Sequence, residues 1–417
     1  MISVRILGLE IKRILKTKIT IVLLAITLGL TFIMAYLPVT YVRTSYMDTD
    51  GNMIRVTGKD AISYNKNKQK DITGEIEVTD FQNAVSHYQE CLSLYGVTKT
   101  SELPNGVYEK EIYPYEPLLR SVMYAFADPV TGIVPSIMDI KLEEVGDFYA
   151  VCEERFETIM ELEQSGNPKA QENALERYKN VEIPYKFYPG YNKDALDYQV
   201  FLAFIILALC VVIAAPVFSS DYQTEADAIL RCTKYGRCRL AMTKIVSALL
   251  VSGFVYTICM GIYIIISNSL FGWECTQTSV QIIYSVFSLV NMNLGKLQFC
   301  VAVAGLLSVL STISLTLVLS SRFKNVVVSL GIALMICILP MVFYIALPTD
   351  VATWINMIIP STGVGLVTSI LYCFVDYVYL NIGQVSVWLP YAMIVACIVE
   401  IPIFILMTIR NYIVFNE

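Results

Sequence analysis

Two carboxylates in the apolar second half of the chain, Glu400 and Asp376, are the residues there with chemistry to offer. A carboxylate inside an apolar run is costly unless it faces protein or water. Glu400 also lies two residues before Pro402, a position where a helix kinks. Two readings of it stand: a group that lines a pathway or couples to a proton, or a structural glutamate hydrogen-bonded at a subunit contact. Asp376 is a second pathway candidate. The common enzyme patterns are missing, with no Gly-x4-Gly-Lys-Ser/Thr phosphate loop, no His-Glu-x-x-His and no Gly-x-Ser-x-Gly elbow. His87 is the single histidine and no Cys-x-x-Cys occurs among eleven cysteines, which leaves a metal site or a His-based relay unsupported. Cys210, Cys259, Cys300, Cys337 and Cys397 fall within apolar runs, where a thiol acts as a small packing residue. The expectation is a chain that is not an enzyme, binds no cofactor or metal itself and takes no nucleic acid.

The elements that hold these residues are membrane spans. At 417 residues, 56% hydrophobic, with a mean hydropathy of +0.59, the chain is too apolar for an ordinary soluble protein. A basic amphipathic stretch, 1–18, leads into a first span at 19–39; no small-x-small cleavage site follows it, so it reads as an uncleaved anchor. Five further spans are expected at 198–218, 245–270, 297–320, 326–347 and 388–409. The apolar stretch 280–294 is too short to cross and is expected at the outer interface. Residues 358–383 are nearly long enough, but Pro360, Gly363, Gly365, Asp376, Asn381 and Gly383 break them, which suits a re-entrant outer hairpin. A seventh crossing is the alternative.

Between the first two spans, residues 40–197 have the composition of a soluble domain. Thr79 with Gln82 caps an expected helix that Gly96 closes, a second runs over about 139–164, and Pro168 opens a third. Strands are expected at 53–57 and 76–78, and loops around Tyr113 and Tyr185. The domain is thus mainly helical, with an α+β character possible. Cys91 and Cys152 are either disulfide-bonded or two buried thiols. Residues 43–197 carry 27 acids and 16 bases, while the remainder carries 9 acids and 14 bases. Six spans put 13 of those 14 bases on the side of the termini, with only Lys296 opposite. The positive-inside rule then makes both termini cytoplasmic and the domain external.

Residues 218–244 form a polar link between the second and third spans. Ser220 and Gln223 suggest a capping box, acids fall early, Arg231 and Lys234 fall late, and Gly236 stops an amphipathic helix over 220–235. Its bland reading is a loop helix on the headgroups; its functional reading is a docking surface.

With these residues in view, the arrangement resembles the membrane subunits of ABC-2-type transporters, especially bacterial permeases with a large extracytoplasmic insert after the first span. That family often shows Phe-Ser-x-Glu, a glycine a few residues on, a Leu-rich helix, then Gly-Arg and a lysine opening the third span. Here Phe218, Ser219, Gly236, Arg237 and Lys244 match, Asp221 replaces the acid, and Glu225 stands where glycine is common. The resemblance implies a coupling helix that docks on a separate ATP-binding cassette subunit through Asp221, Tyr222, Glu225, Ile229, Leu230, Tyr235 and Arg237. It implies ATP and Mg on that subunit, a second permease copy or paralogue, a bacterial plasma-membrane location, and export of a peptide, lipid or drug-like substrate. The rival expectation is a non-transporting receptor or immunity protein that binds an external peptide.

Overall fold

In the computed structural model, which describes residues 4–48, 52–232 and 237–414, Thr17 separates the first two helices. Helix α1 (Val4–Leu15) is amphipathic and buries Ile14. The Thr17 hydroxyl accepts the Thr20 N–H at 3.3 Å and caps α2 (Lys18–Tyr41). Thr27 and Thr31 lie on the buried side of α2 and donate to Leu23 O and Thr27 O, so no hydroxyl there is left unpaired. Ile19, Val22, Phe32 and Ile33 point outward.

The insert opens with an antiparallel hairpin, β1 (Arg43–Met47) and β2 (Met53–Thr57), in register Arg43 to Thr57. Then come α3 (Gly58–Lys68), β3 (Gly74–Ile76), α4 (Val78–Tyr95), α5 (Glu116–Ala125), α6 (Leu142–Val145), α7 (Phe148–Glu163), α8 (Pro168–Lys179) and β4 (Tyr185–Phe187), which pairs antiparallel with β3. Phe81 stacks on Phe148 at 3.9 Å between ring centres, joining α4 to α7 at the centre of the core.

Several local expectations are corrected here. The cap of α4 is Glu77, whose N–H donates to Asp80 Oδ2 at 2.8 Å; Gln82 instead donates to Leu142 O at 3.2 Å and ties α4 to α6. The expected helix over 139–164 breaks at Gly146 and Asp147. The second strand is displaced to Gly74–Ile76 because Val78 already starts α4, and Tyr185 lies in β4 and not in a loop. Around Tyr113 the backbone makes short helical turns, Tyr108–Ile112 and Tyr113–Tyr115. Cys91 and Cys152 are separate buried thiols, with Cys152 turned toward the Tyr178 hydroxyl; burial pushes the pKa of both upward.

The remaining chain supplies α9 (Asp194–Ala214), α10 (Pro216–Gln223), α11 (Ala226–Arg231), α12 (Cys238–Phe271), α13 (Val280–Ile283), α14 (Leu294–Arg322), α15 (Val326–Ala346), α16 (Thr349–Ile358), α17 (Ile370–Val375), the hairpin β5 (Tyr379–Ile382) with β6 (Val385–Trp388), and α18 (Leu389–Val414). Among the described residues six helical segments are long and apolar enough to cross a membrane: α2, α9 continued by α10, α12, α14, α15 and α18. The protein is a multi-pass, mainly α-helical membrane protein.

Residues 280–294 are largely covered by protein, with Asn291 exposed. Val280, Val286, Leu289 and Val290 are buried, and Tyr178 donates to Val286 O at 3.0 Å while Arg120 donates to Ile282 O at 3.3 Å. Their apolar side chains meet protein instead of lipid, and one continuous core runs from the insert through this seat into Leu297 and Val301 of α14. Helix α14 is the centre of the bundle and presents buried Ser308, Ser311, Thr312, Thr316 and Ser320, small residues that let neighbouring helices approach. Gly305 lies directly beneath Tyr256, where a Cβ would collide with the phenol oxygen.

The segment before α18 is broken as its prolines and glycines predict. It consists of short helices, with no helix long enough for a seventh span among the described residues. Pro340 has no N–H, which frees the Ile336 carbonyl; the Ser361 hydroxyl donates to it at 2.9 Å. Asn356 donates to Pro340 O at 3.1 Å, so α16 and the turn Pro360–Val364 are both fastened to the kink in α15.

Candidate functional site

Helix α9 passes into α10 through Ala215 and Pro216. The Ser320 hydroxyl of α14 fills this junction: it accepts from Phe218 N at 3.0 Å and Ser219 N at 3.2 Å and donates to Ala215 O at 2.6 Å. Ser220 lies inside α10 and donates to Pro216 O at 2.5 Å. The expected helix start at Ser220 is therefore corrected. The apolar span simply continues to Gln223, and the hydroxyl bonds back along the helix instead of capping a new one.

The continuation carries Asp221 into the bundle, where it is only 6% exposed. The ammonium of Lys244, from α12 and fully buried, lies against Asp221 Oδ2 and also donates to Val217 O at 3.2 Å. On the other side, Arg13 of α1 donates to Asp221 Oδ1 at 2.9 Å and to Val217 O at 3.3 Å, and pairs with Glu10 at 2.8 Å. Two acids and two bases thus close a neutral cluster that joins α1, α10 and α12. Pairing is what makes the buried members, Asp221 and Lys244, tolerable, since a buried charge left alone would be strongly destabilising, while Arg13 reaches solvent. Tyr222 is likewise buried and donates to Ser321 O at 3.3 Å, and Asn411 of α18 donates to the Ser321 hydroxyl at 3.4 Å.

Beyond Gln223 the chain turns sharply. Glu225 has φ 57°, the left-handed conformation that glycine adopts without steric cost, and it separates α10 from α11. On α11, Ile229 is 75% exposed and Leu230 half-buried. Arg237 is exposed just before α12. Tyr235 lies outside the described residues. The candidate docking residues thus divide: Asp221 and Tyr222 form the buried root, while Glu225, Ile229 and Arg237 lie on the surface.

The other carboxylates occupy different places. Glu400 on α18 accepts from the Ser311 hydroxyl of α14 at 2.7 Å and is half-buried at this helix contact. Asp376 follows α17 and borders a cavity at the insert-side ends of α15 and α18 that Glu400 does not line. Sequence reasoning missed the partners Arg13, Glu10 and Lys244. One signal for Lys244 was present, a base followed immediately by the apolar run Ile245 to Ala248 with no acid nearby in sequence. Comparison of the chain with protein-family models, with curated proteins and with solved structures finds no match.

Proposed function

We propose that this chain is the membrane-spanning subunit of an ATP-driven exporter of the ABC-2 type, coupling a separate ATPase to outward passage of a peptide, lipid or drug-like substrate. The observation that carries this reading is the mounting of α11. It presents Ile229 to the surface, while its root is fixed through Asp221 to Arg13 of α1 and Lys244 of α12. A displacement of α11 reaches three helices together, because parting Asp221 from its partners would leave Lys244 buried and without a counter-ion. The left-handed Glu225 adds support, since it stands where glycine is common in the family that the sequence resembles.

On this reading α1, α11 and both termini face the cytoplasm of a bacterium, and the insert is extracytoplasmic. ATP and Mg bind the partner subunit, and a second permease completes the assembly. ATP binding selects between two arrangements of the spans, and this chain performs no covalent chemistry. The test is purification from native membranes in gentle detergent. An ATPase subunit with a phosphate loop is expected to accompany the wild-type chain and to be lost, or no longer stimulated, with Ile229→Asp. A receptor or immunity protein would purify without any ATPase, and that result would overturn the proposal.

A further inference from the structure

The insert-side ends of α15, α16, α17 and α18 enclose a cavity of about 450 Å³. Its walls are largely apolar, with Met357, Val378, Leu389 and Met393 among them. Three of the hydroxyl groups around it are committed as donors, Thr362 to Asn356 O at 2.6 Å, Thr368 to Thr362 O at 3.4 Å and Tyr372 to Asp197 Oδ1 at 3.1 Å, while Tyr344, Thr349 and Thr353 also line it. An amide and a carboxylate stand beside them. Asn356 is 5% exposed, and its Nδ2 must face the Pro340 carbonyl, which can only accept; its Oδ1 is left buried with no hydrogen-bond partner. Asp376 accepts from the Tyr377 N–H at 2.8 Å, and no lysine or arginine among the described residues pairs with it. Asn356 Oδ1 is thus a buried acceptor without a donor, which is rare in a folded protein and calls for a partner, while Asp376 stands exposed at the cavity's edge. The surrounding protein pushes the Asp376 carboxyl upward from the ordinary carboxylate range, by partial desolvation, although the residue still reaches solvent.

We infer that this cavity binds a cationic amphiphile, an ammonium or guanidinium on an apolar body, with Asp376 as counter-ion and Asn356 Oδ1 as a second acceptor. The apolar walls take the body, and the unspent acceptors select a charged donor over a neutral or anionic head. Binding does not depend on transport; only the statement that the ligand is cargo rests on the exporter reading.

The test uses the full chain in phosphatidylcholine nanodiscs, with empty nanodiscs as the blank. The probes are radiolabelled dodecylammonium, dodecanol and dodecyl sulfate, which share one chain length. Saturable binding of dodecylammonium is expected, at least tenfold tighter than that of dodecanol. Asp376→Asn should weaken it about tenfold, the effect of removing one charge pair in a partly dry site, and leave dodecanol unchanged. Asn356→Asp, which keeps an acceptor at the buried position, should retain binding, whereas Asn356→Leu should reduce it; thermal unfolding of each variant checks the fold. Equal binding of all three probes, or unchanged dodecylammonium binding by Asp376→Asn, would overturn the inference. Selective binding with no ATP-driven release would leave the site standing and count against the exporter reading alone.

Discussion

The ammonium of Lys244 rests on the carboxylate of Asp221 inside the protein, joining α12 to α10 through two residues 23 positions apart in sequence. Without Asp221 the buried Lys244 keeps only the Val217 carbonyl as an acceptor, whereas without Lys244 the carboxylate of Asp221 still pairs with Arg13. Asp221→Asn should lower stability by about 3–5 kcal/mol and Lys244→Met by less, whereas the double substitution should recover much of the Asp221→Asn loss. Thermal unfolding in detergent measures the cycle. Additive single effects would mean that the two groups do not act as a pair.

Glu225 holds a backbone conformation that costs an L-residue roughly 1–2 kcal/mol. Glu225→Gly should therefore be neutral or stabilising for the α10–α11 turn, and Glu225→Val should be destabilising. Hydrogen exchange across the described part of the turn reads the difference as a change in protection.

Gly305 lies against Tyr256 with no room for a methyl group. Gly305→Ala should cost about 1–3 kcal/mol by overpacking. Tyr256→Phe removes the oxygen that the new methyl would strike and should restore much of the loss in the double variant. No rescue would place the strain elsewhere.

Much of this architecture is legible in the sequence because lipid imposes a length on the chain. The runs that became α2, α9, α12, α14, α15 and α18 are long enough and apolar enough to be read directly. Pro360, Gly363 and Gly365 likewise announce a broken segment. Residues 280–294 show where this reading fails: the same apolar side chains satisfy lipid and protein equally well, and only the fold reveals that the insert covers them. The ion cluster was hidden for a different reason. Asp221 and Arg13 look like solvated interfacial charges, and nothing in their local sequence records that a continuous α9–α10 helix turns Asp221 inward. The same continuity explains why Ser220 and Gln223 misled as a cap. A capping pair is informative only if the preceding helix has ended.

Arg177 of α8 lies 4.9 Å above the Trp388 ring and 4.8 Å above Tyr391, and Asn173 donates to Ser386 O at 3.2 Å, so the insert grips the start of α18. Arg177→Ala should weaken this contact by about 1 kcal/mol. The expected readouts are a red-shifted Trp388 emission, measured with Trp273 and Trp354 replaced by Phe, and earlier proteolysis of the insert, with Arg177→Lys intermediate. Unchanged emission would show that the stacking contributes nothing to the docking of the insert.

The central claim is that α11 transmits the work of an ATPase to the spans. Its most direct measurement is ATP hydrolysis by the purified assembly in nanodiscs, comparing the wild-type chain with Ile229→Asp at equal thermal stability. The account predicts hydrolysis with the wild-type chain and its loss, or loss of the ATPase subunit itself, with the variant. An unchanged rate, or a wild-type chain that purifies with no ATP-binding partner, would contradict it.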